Sequence, residues 1–312
     1  MKSSTATGTT ATADMAARAG GQQPTARYRG RFAPSPTGLL HHGSLLAALA
    51  SWLDARANSG AWLLRMEDLD TARNMPGAAD EILRSLDALG LTADEPVLYQ
   101  SSRVPAYQSA LHDLQQRGLA YRCTCSRSDE PGVYSGHCRR HPPAPGPAAW
   151  RFALAEAAVL QFEDGLQGRQ HYSAGALGDP VIWRRDGAPA YQLAVVVDDA
   201  FQNITHVVRG ADLLDSTAWQ QAIGDALELP RLHYSHLPLV VEPDGAKLAK
   251  SRRARAVSHW LPGEALTTVL QLLGYAPPAD LAAESIPRIL DWALAGWPPA
   301  GLAGRRVVAL PT

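Results

Sequence analysis

The strongest constraint on the fold is an alternation of short apolar runs and helix-period segments that begins at residue 28. Residues 28–33 alternate in character and stop at Pro34-Ser35-Pro36-Thr37-Gly38, where two prolines and a glycine force an extended turn. Leu45, Leu46, Leu49, Trp52 and Leu53 then recur at helical spacing within residues 39–57, and Gly60 lies just beyond. The unit repeats as a buried strand at 62–66 and a helix at 78–89 closed by Gly90, followed by a helix at 104–116 and a short strand at 120–122. Strands alternating with helices of this length predict an α/β fold, a doubly wound parallel sheet with right-handed crossovers. The alternation breaks between about 126 and 180, where residues 142–147 are too proline-rich for a helix. It resumes at 190–198, with a strand at 204–209 and a helix at about 217–227. Past residue 258 short helices are expected, with Ala265, Leu266, Val269, Leu270 and Leu273 on one face.

The predicted organisation is a flexible N-terminal arm (1–26), a catalytic core (27–235) with an insertion at about 119–180, and a C-terminal helical region (236–312). The arm is Thr, Ala, Ser and Gly, too poor in large apolar groups to offset its ordering entropy. Elsewhere 46% hydrophobic and 19% charged residues supply a core and exclude a disordered or collagenous chain. No apolar run approaches the ~18 residues of a membrane span, so a cytoplasmic protein without a membrane partner is expected. With 29 Lys and Arg against 30 Asp and Glu, no basic coat announces nucleic acid, and any RNA partner has to be argued from motifs.

All three cysteines, Cys123, Cys125 and Cys138, fall within 16 residues. An odd count does not build a disulfide framework, and cysteines crowded among Arg, Ser, Asp and Gly do not read as core, so metal binding is expected. Three thiolates are one short of a tetrahedral zinc set, with His137, His141 or Tyr134 open as the fourth ligand.

The loop from Pro34 through His41-His42-Gly43-Ser44 joins the first strand to the first helix, where open α/β sheets bind ligands and helix N-termini suit phosphates. Residues 31–43 closely resemble the class I aminoacyl-tRNA synthetase signature of the glutamyl branch. His42 stands where that family usually has an apolar residue, and Ser44 where many members have a second histidine; no role is assigned to His42. The resemblance implies a Rossmann-like catalytic core in which His41 contacts the ATP phosphates and Gly43 leaves space for adenine and ribose, with Ser44 beside them. Lys247-Leu248-Ala249-Lys250-Ser251, in a glycine-preceded loop, resembles the second class I signature; Lys247 and Lys250 then serve the triphosphate as charge moves onto pyrophosphate.

Between the signatures, a dicarboxylic substrate with an ammonium needs a carboxylate and one or two arginines in reach. Arg65-Met66-Glu67-Asp68-Leu69-Asp70, the segment 190–199 and the segment 205–214 are similar to glutamyl-branch sequences. They imply that Arg31, Phe32, Ala33, Pro34, Ser35, Glu67, Tyr191 and Arg209 line a glutamate site, with Glu67 facing the α-ammonium. Cys-Thr-Cys followed by Gly-x-Tyr-x-Gly-His-Cys resembles the zinc site of the glutamyl-Q tRNA(Asp) synthetases, which implies Tyr134 as fourth ligand of one structural Zn2+. The similarity runs from about Arg27 to the lysine loop and fades in the last fifty residues.

The expected activity is activation of L-glutamate by ATP, with Mg2+, to glutamyl-adenylate without tRNA. Transfer to the queuosine base in the anticodon of tRNA(Asp) follows from the glutamyl-Q resemblance. Two competitors are a glutamyl-tRNA synthetase charging a 3' end and an inactive RNA-binding paralogue. About 60 residues after the lysine loop are too few for an anticodon-binding domain, which argues against the first. Intact His41, Lys247 and Lys250 argue against the second.

Overall fold

The computed structural model describes residues 27–126, 128–129, 132–155, 157–241, 256–299 and 301–309; the arm at 1–26 and both Lys247 and Lys250 lie outside the described residues. The chain runs β1 (Arg29–Phe32), α1 (His42–Ala57), β2 (Ala61–Met66), α2 (Ala78–Ala88), β3 (Leu98–Tyr99) and α3 (Val104–Gln116). It continues through β4 (Ala120–Cys123), α4 (His137–Arg140), β5 (Ala149–Phe152), β6 (Val159–Asp164), β7 (Gly168–Ser173), α5 (Ala174–Leu177) and β8 (Val181–Trp183). The remainder is α6 (Tyr191–Phe201), β9 (His206–Gly210), α7 (Leu214–Ala226), β10 (His233–Leu237), β11 (Leu239–Val241), α8 (Pro262–Leu273), α9 (Ile286–Ala295) and β12 (Val307–Ala309).

Strands β1, β2 and β3 pair in parallel in that order, and β9 pairs in parallel with β10. The two groups meet at β1 and β9, where Thr205 N donates to Arg29 O at 2.9 Å and Arg29 N to Thr205 Oγ1 at 2.8 Å. The spatial order is therefore β3-β2-β1-β9-β10, and the connection reverses between β1 and β9. Such a reversal opens a crevice beyond the carboxyl ends of the strands. Trp62, Leu63, Leu64 and Met66 of β2 are all buried, as expected of a parallel strand covered on both faces.

Helix α1 is apolar nearly all round because it is packed on two sides: against β1 and β2, and against α8. Ala265, Leu266, Val269, Leu270 and Leu273 of α8 are fully buried, the face read from their spacing, and they share one core with Leu45, Leu49 and Leu53. Truncating Leu270 to alanine removes contacts worth about 2–5 kcal/mol.

The strand expected at 120–122 does not continue the parallel alternation. As β4 it opens an antiparallel sheet, β4-β5-β8, and the segment carrying the cysteines is the excursion between β4 and β5. Among the described residues between β4 and β5 the helix is α4, whose four residues are too few to carry a parallel crossover. Within the stretch read as an insertion, the β6–β7 hairpin also attaches to the core, since β6 pairs with β10 at Asp164 and Tyr234. Near the end of the chain β12 pairs in parallel with β11, a contact no local pattern announces. Among the described residues no helix is long and apolar enough to cross a membrane.

Candidate active site

The loop after β1 is tied down by its own backbone. Thr37 N bonds to Ser35 O at 2.8 Å, Glu67 N to Pro34 O at 2.9 Å and Met75 N to Pro36 O at 2.9 Å, so the end of β2 and the loop move as one. His41 is the N-cap of α1 in extended conformation (φ −121°, ψ 171°), and its Nδ1 accepts the Ser44 N–H at 3.3 Å. That bond satisfies one of the donors a helix start leaves unpaired. Burial lowers the His41 pKa, which favours the neutral ring; with Nδ1 accepting, the proton sits on Nε2, 3.3 Å from Ser44 Oγ. A Cβ on Gly43 would lie 3.3 Å from the His41 ring, so glycine leaves that ring its position. The result is a helix N-terminus with an imidazole donor beside it, a polarity suited to phosphate.

The crevice at the β1–β9 reversal is a cleft of about 570 Å³. Arg31, Phe32, Ala33, Pro34, Ser35, His41, Gly43, Ser44, Glu67, Tyr191 and Arg209 all line it, so the structure brings together every site residue predicted for ATP and glutamate that it describes. Lys247 and Lys250 lie outside the described residues, but the segments flanking them border the cleft. Leu239 and Val240 of β11 line it, and Val257 N bonds to Leu40 O at 2.8 Å. His42 is buried and meets the Trp260 ring edge-on at 4.7 Å, a packing contact between α1 and the segment after the lysine loop.

The floor of the cleft is charged and buried. Arg31 forks onto Asp199 through Nε (3.2 Å) and Nη2 (3.4 Å), and Arg65 Nη1 reaches the same carboxylate at 2.8 Å. Burial raises Asp199, but Arg31 and Arg65 outweigh it and hold the carboxyl below its usual range. Glu67 Oε1 is 3.6 Å from Arg65 Nη2; burial pushes its pKa up while Arg65 and Arg31 pull it down, with a net rise. On the opposite wall Arg209 Nη1 donates to Tyr191 OH at 3.3 Å and Nη2 to Thr217 Oγ1 at 2.8 Å. Among the described residues no carboxylate forms an ion pair with Arg209, although it is almost fully buried. A buried cation without a countercharge is costly, and an anionic ligand relieves that cost.

Sequence reasoning missed Asp199, which holds Arg31, and His236 and Thr217, which hold Arg209, along with Arg65, which pairs with Asp199 and Glu67, and Asp164, which lies behind His236. It also missed Val208, Gly210, Leu213 and Pro238 of the lining. Two signals were available: an arginine inside the apolar run of β2, and two aspartates on the otherwise apolar α6.

The cysteine cluster stands apart from the cleft. The Sγ atoms of Cys123, Cys125 and Cys138 lie within 4.8 Å of one another, Cys125 and Cys138 at 3.4 Å. Tetrahedral zinc with Zn–S of about 2.3 Å separates its sulfurs by about 3.8 Å, so the donor set fits a divalent ion. Tyr134 OH is 3.5 Å from Cys123 Sγ and accepts the Cys138 N–H at 2.8 Å. Arg151 lies over the Tyr134 ring at 3.7 Å and its Nε is 3.3 Å from Cys123 Sγ, a cation placed where a set of thiolates would concentrate charge. Burial raises the Cys138 thiol, but hydrogen bonds from the Thr124 backbone and from Cys125 and Tyr134 outweigh it and hold it at about 6. Cys125 is pushed up to about 12 by burial and its thiol neighbours, so complete deprotonation calls for a cation. His137 and His141 face each other with ring centroids 5.1 Å apart, while Tyr134 is the residue in contact with the thiols.

The sequence matches the family described as tRNA synthetases class I (E and Q), catalytic domain, over residues 27–130 and 136–285. A glutamyl-Q tRNA(Asp) synthetase of Pseudomonas fluorescens is 50% identical over 275 residues, covering 86% of this chain and 92% of its own. One of Methylococcus capsulatus is 47% identical over 298 residues, covering 92% and 97%. A crystal structure of glutamate-tRNA synthetase from Elizabethkingia anophelis superposes with a TM-score of 0.73 at 25% identity, and this chain spans 85% of its own length but 65% of that one. With a parallel α/β core, a ligand crevice at its strand reversal and relatives of this similarity along most of its length, the chain belongs to the class I tRNA synthetases of the E and Q branch, among the glutamyl-Q tRNA(Asp) synthetases, and is a ligase of the aminoacyl-tRNA synthetase type.

Proposed function

We propose that the cleft binds ATP and L-glutamate, forms glutamyl-adenylate without tRNA, and then passes the glutamyl group to the queuosine base in the anticodon of tRNA(Asp). The observation that carries this reading is the pairing of charges in the cleft: a buried Arg209 that has no carboxylate partner among the described residues, and Glu67 beside Arg65 and Arg31. An amino acid with a second carboxylate supplies an anion to Arg209 and an ammonium to Glu67. Arg31, whose Nη1 is not used by Asp199, offers a further cation to a carboxylate.

The glutamate α-carboxylate attacks the α-phosphorus of ATP; a P–O bond forms to the carboxylate oxygen and the bond to the β-phosphate breaks, releasing pyrophosphate. The nucleophile is already ionised, so positioning and charge stabilisation suffice and no base is needed. His41 Nε2–H and the N-terminal amides of α1 donate to the triphosphate, Gly43 and Ser44 lie beside them, and Lys247 and Lys250 are assigned to the departing pyrophosphate. Mg2+ bound with ATP neutralises part of the triphosphate charge. Cys123, Cys125, Tyr134 and Cys138 would hold Zn2+, which would cross-link the excursion between β4 and β5 in a structural role. In the transfer step a queuosine hydroxyl attacks the mixed-anhydride carbonyl and AMP leaves.

The acceptor rests on the name carried by relatives about half identical to this chain. Unpaired loop bases are the part of an RNA that proteins read by stacking and edge hydrogen bonds, so an anticodon base is a chemically reasonable target. Two measurements test the proposal. Glutamate-dependent exchange of pyrophosphate into ATP is expected without RNA. Labelled glutamate is then expected on tRNA(Asp) carrying queuosine and not on the same tRNA carrying guanosine. Label on both, or label lost when the 3' adenosine is removed, would establish ordinary 3'-end charging instead.

A further inference from the structure

Arg209 is held almost entirely by uncharged acceptors. Besides Tyr191 OH and Thr217 Oγ1, it donates from Nη2 to Leu213 O at 3.3 Å and from Nε to His236 Nε2 at 3.1 Å. A guanidinium has five N–H donors and no lone pair, so each partner must accept, and one Nη1 N–H is left for the cleft. Three of the four partners accept in any protonation state found at neutral pH. The imidazole does not: its Nε2 accepts only when the proton sits on Nδ1.

What lies behind the ring decides the tautomer. His236 Nδ1 is 2.5 Å from Asp164 Oδ2, and both side chains are fully buried. Asp164 Oδ1 accepts three backbone N–H groups, from Leu166 (3.0 Å), Gln167 (2.8 Å) and His236 (3.1 Å), which stabilises the ionised carboxylate. An ionised carboxylate only accepts, so the proton between them belongs to Nδ1, and Nε2 turns a lone pair on Arg209. Neither residue lines the cleft.

The geometry points to Asp164 and His236 as a positioning pair for the amino-acid site: Asp164 fixes His236 in the Nδ1–H form, and Nε2 then holds the Arg209 guanidinium in the orientation that presents its remaining Nη1 N–H to a substrate carboxylate. The pair rests on the reading of Arg209 as a glutamate contact. An imidazole between the two charges also keeps Asp164 from occupying the guanidinium directly, so the cation stays available to the ligand.

Three substitutions in the full chain separate this from a structural role. In His236→Asn the amide N–H can reach Asp164, but no atom stands where Nε2 accepted from Arg209. In His236→Gln the amide oxygen can take the Nε2 position, while the bond to Asp164 is lost. In Asp164→Asn the amide keeps an oxygen for the backbone N–H groups but donates to Nδ1, moving the ring proton to Nε2, where it faces the Arg209 N–H. Glutamate-dependent pyrophosphate exchange is expected to show the KM for glutamate raised by about tenfold or more in His236→Asn and Asp164→Asn, with the KM for ATP and kcat at saturating glutamate within about twofold. His236→Gln is expected to keep a glutamate KM nearer that of the unmodified chain.

Equal impairment of His236→Gln and His236→Asn, or a fall in kcat and ATP affinity together with glutamate affinity, would make the pair a packing element and overturn the inference. So would unchanged glutamate KM values. If the His236 variants fail to melt cooperatively, Asp164→Asn, which changes one atom's hydrogen bonding, decides by the same criteria. An unmodified chain with no glutamate dependence removes the proposed function and this inference together; a glutamate-dependent chain with indifferent variants removes only the inference.

Discussion

Arg65 and Asp199 form a 2.8 Å ion pair in which neither side chain has appreciable access to solvent, and Arg31 closes on the same carboxylate from β1. Two cations thus share one anion beneath the cleft, and Glu67 is the second carboxylate in their reach. Arg65 Nε and Nη2 have no hydrogen-bond partner among the described residues, and Nη2 faces Glu67 Oε1 at 3.6 Å.

Asp199→Asn leaves Arg31 and Arg65 buried without their shared anion. Removing one member of a buried charge set costs about 3–5 kcal/mol, because the desolvated partner remains. Urea unfolding is expected to show a loss of that size with an unchanged slope. A loss under about 1 kcal/mol would mean that water or Glu67 compensates the two arginines.

This network also marks the limit of what the sequence discloses. The lining residues Arg31, Ser35, Glu67, Tyr191 and Arg209 were legible because each lies in a short segment whose residue types recur together in the glutamyl branch. The α1 and α8 helices were legible from their apolar spacing. Asp199 with Arg31, or Asp164 with His236, are partners separated by 168 and 72 residues, and no local period couples them. The antiparallel pairing of β4 was lost for the same reason, since a four-residue strand carries no sign of its partner's direction.

Glutamate affinity should depend on both walls of the cleft. Arg209→Ala and Glu67→Ala each remove one partner of a charge that the substrate supplies, at a cost of ~3–5 kcal/mol, or hundreds-fold or more in binding. Exchange assays are expected to lose glutamate dependence in both, with cooperative melting retained. Near-normal glutamate affinity in both variants would place the amino-acid pocket elsewhere. Glutamine is expected to be a poor substrate, since its amide cannot make the charge-assisted contact with Arg209.

Metal analysis of the purified protein is expected to find about one zinc per chain, as a closed set of four protein ligands implies. Cys123→Ser removes a thiolate and should leave the protein metal-poor and less stable. Tyr134→Phe, which keeps the ring under Arg151 but removes the oxygen beside Cys123, should release zinc to a chelator faster while retaining some metal. A metal-free protein with unaltered melting would end the structural role of the cluster.

Stability should fall on mild acidification, and the sign follows from the histidines. His41, His42, His206 and His236 all have lowered pKa values: burial is the main cause in each, with His41 adding to His42, His233 to His206, and Arg209 to His236 against the opposing pull of Asp164. In the unfolded chain these rings take up protons near the ordinary value of about 6.5, before the folded rings do. Their contribution is therefore present above that value and is lost as pH falls below it toward the folded values. Asp164 and Asp199, whose carboxyls are held low, extend the loss into the acidic range below about 4. Glu67 acts in the opposite sense, because its raised pKa makes its ionised form the costly one in the fold, but it is one group against four histidines. Thermal melting is expected to drop by on the order of 5 °C between about pH 7.5 and about pH 5.5, and His206→Gln, remote from the cleft, should flatten the drop. A melting temperature that holds or rises over that range would show that the buried histidines do not dominate the pH dependence of stability.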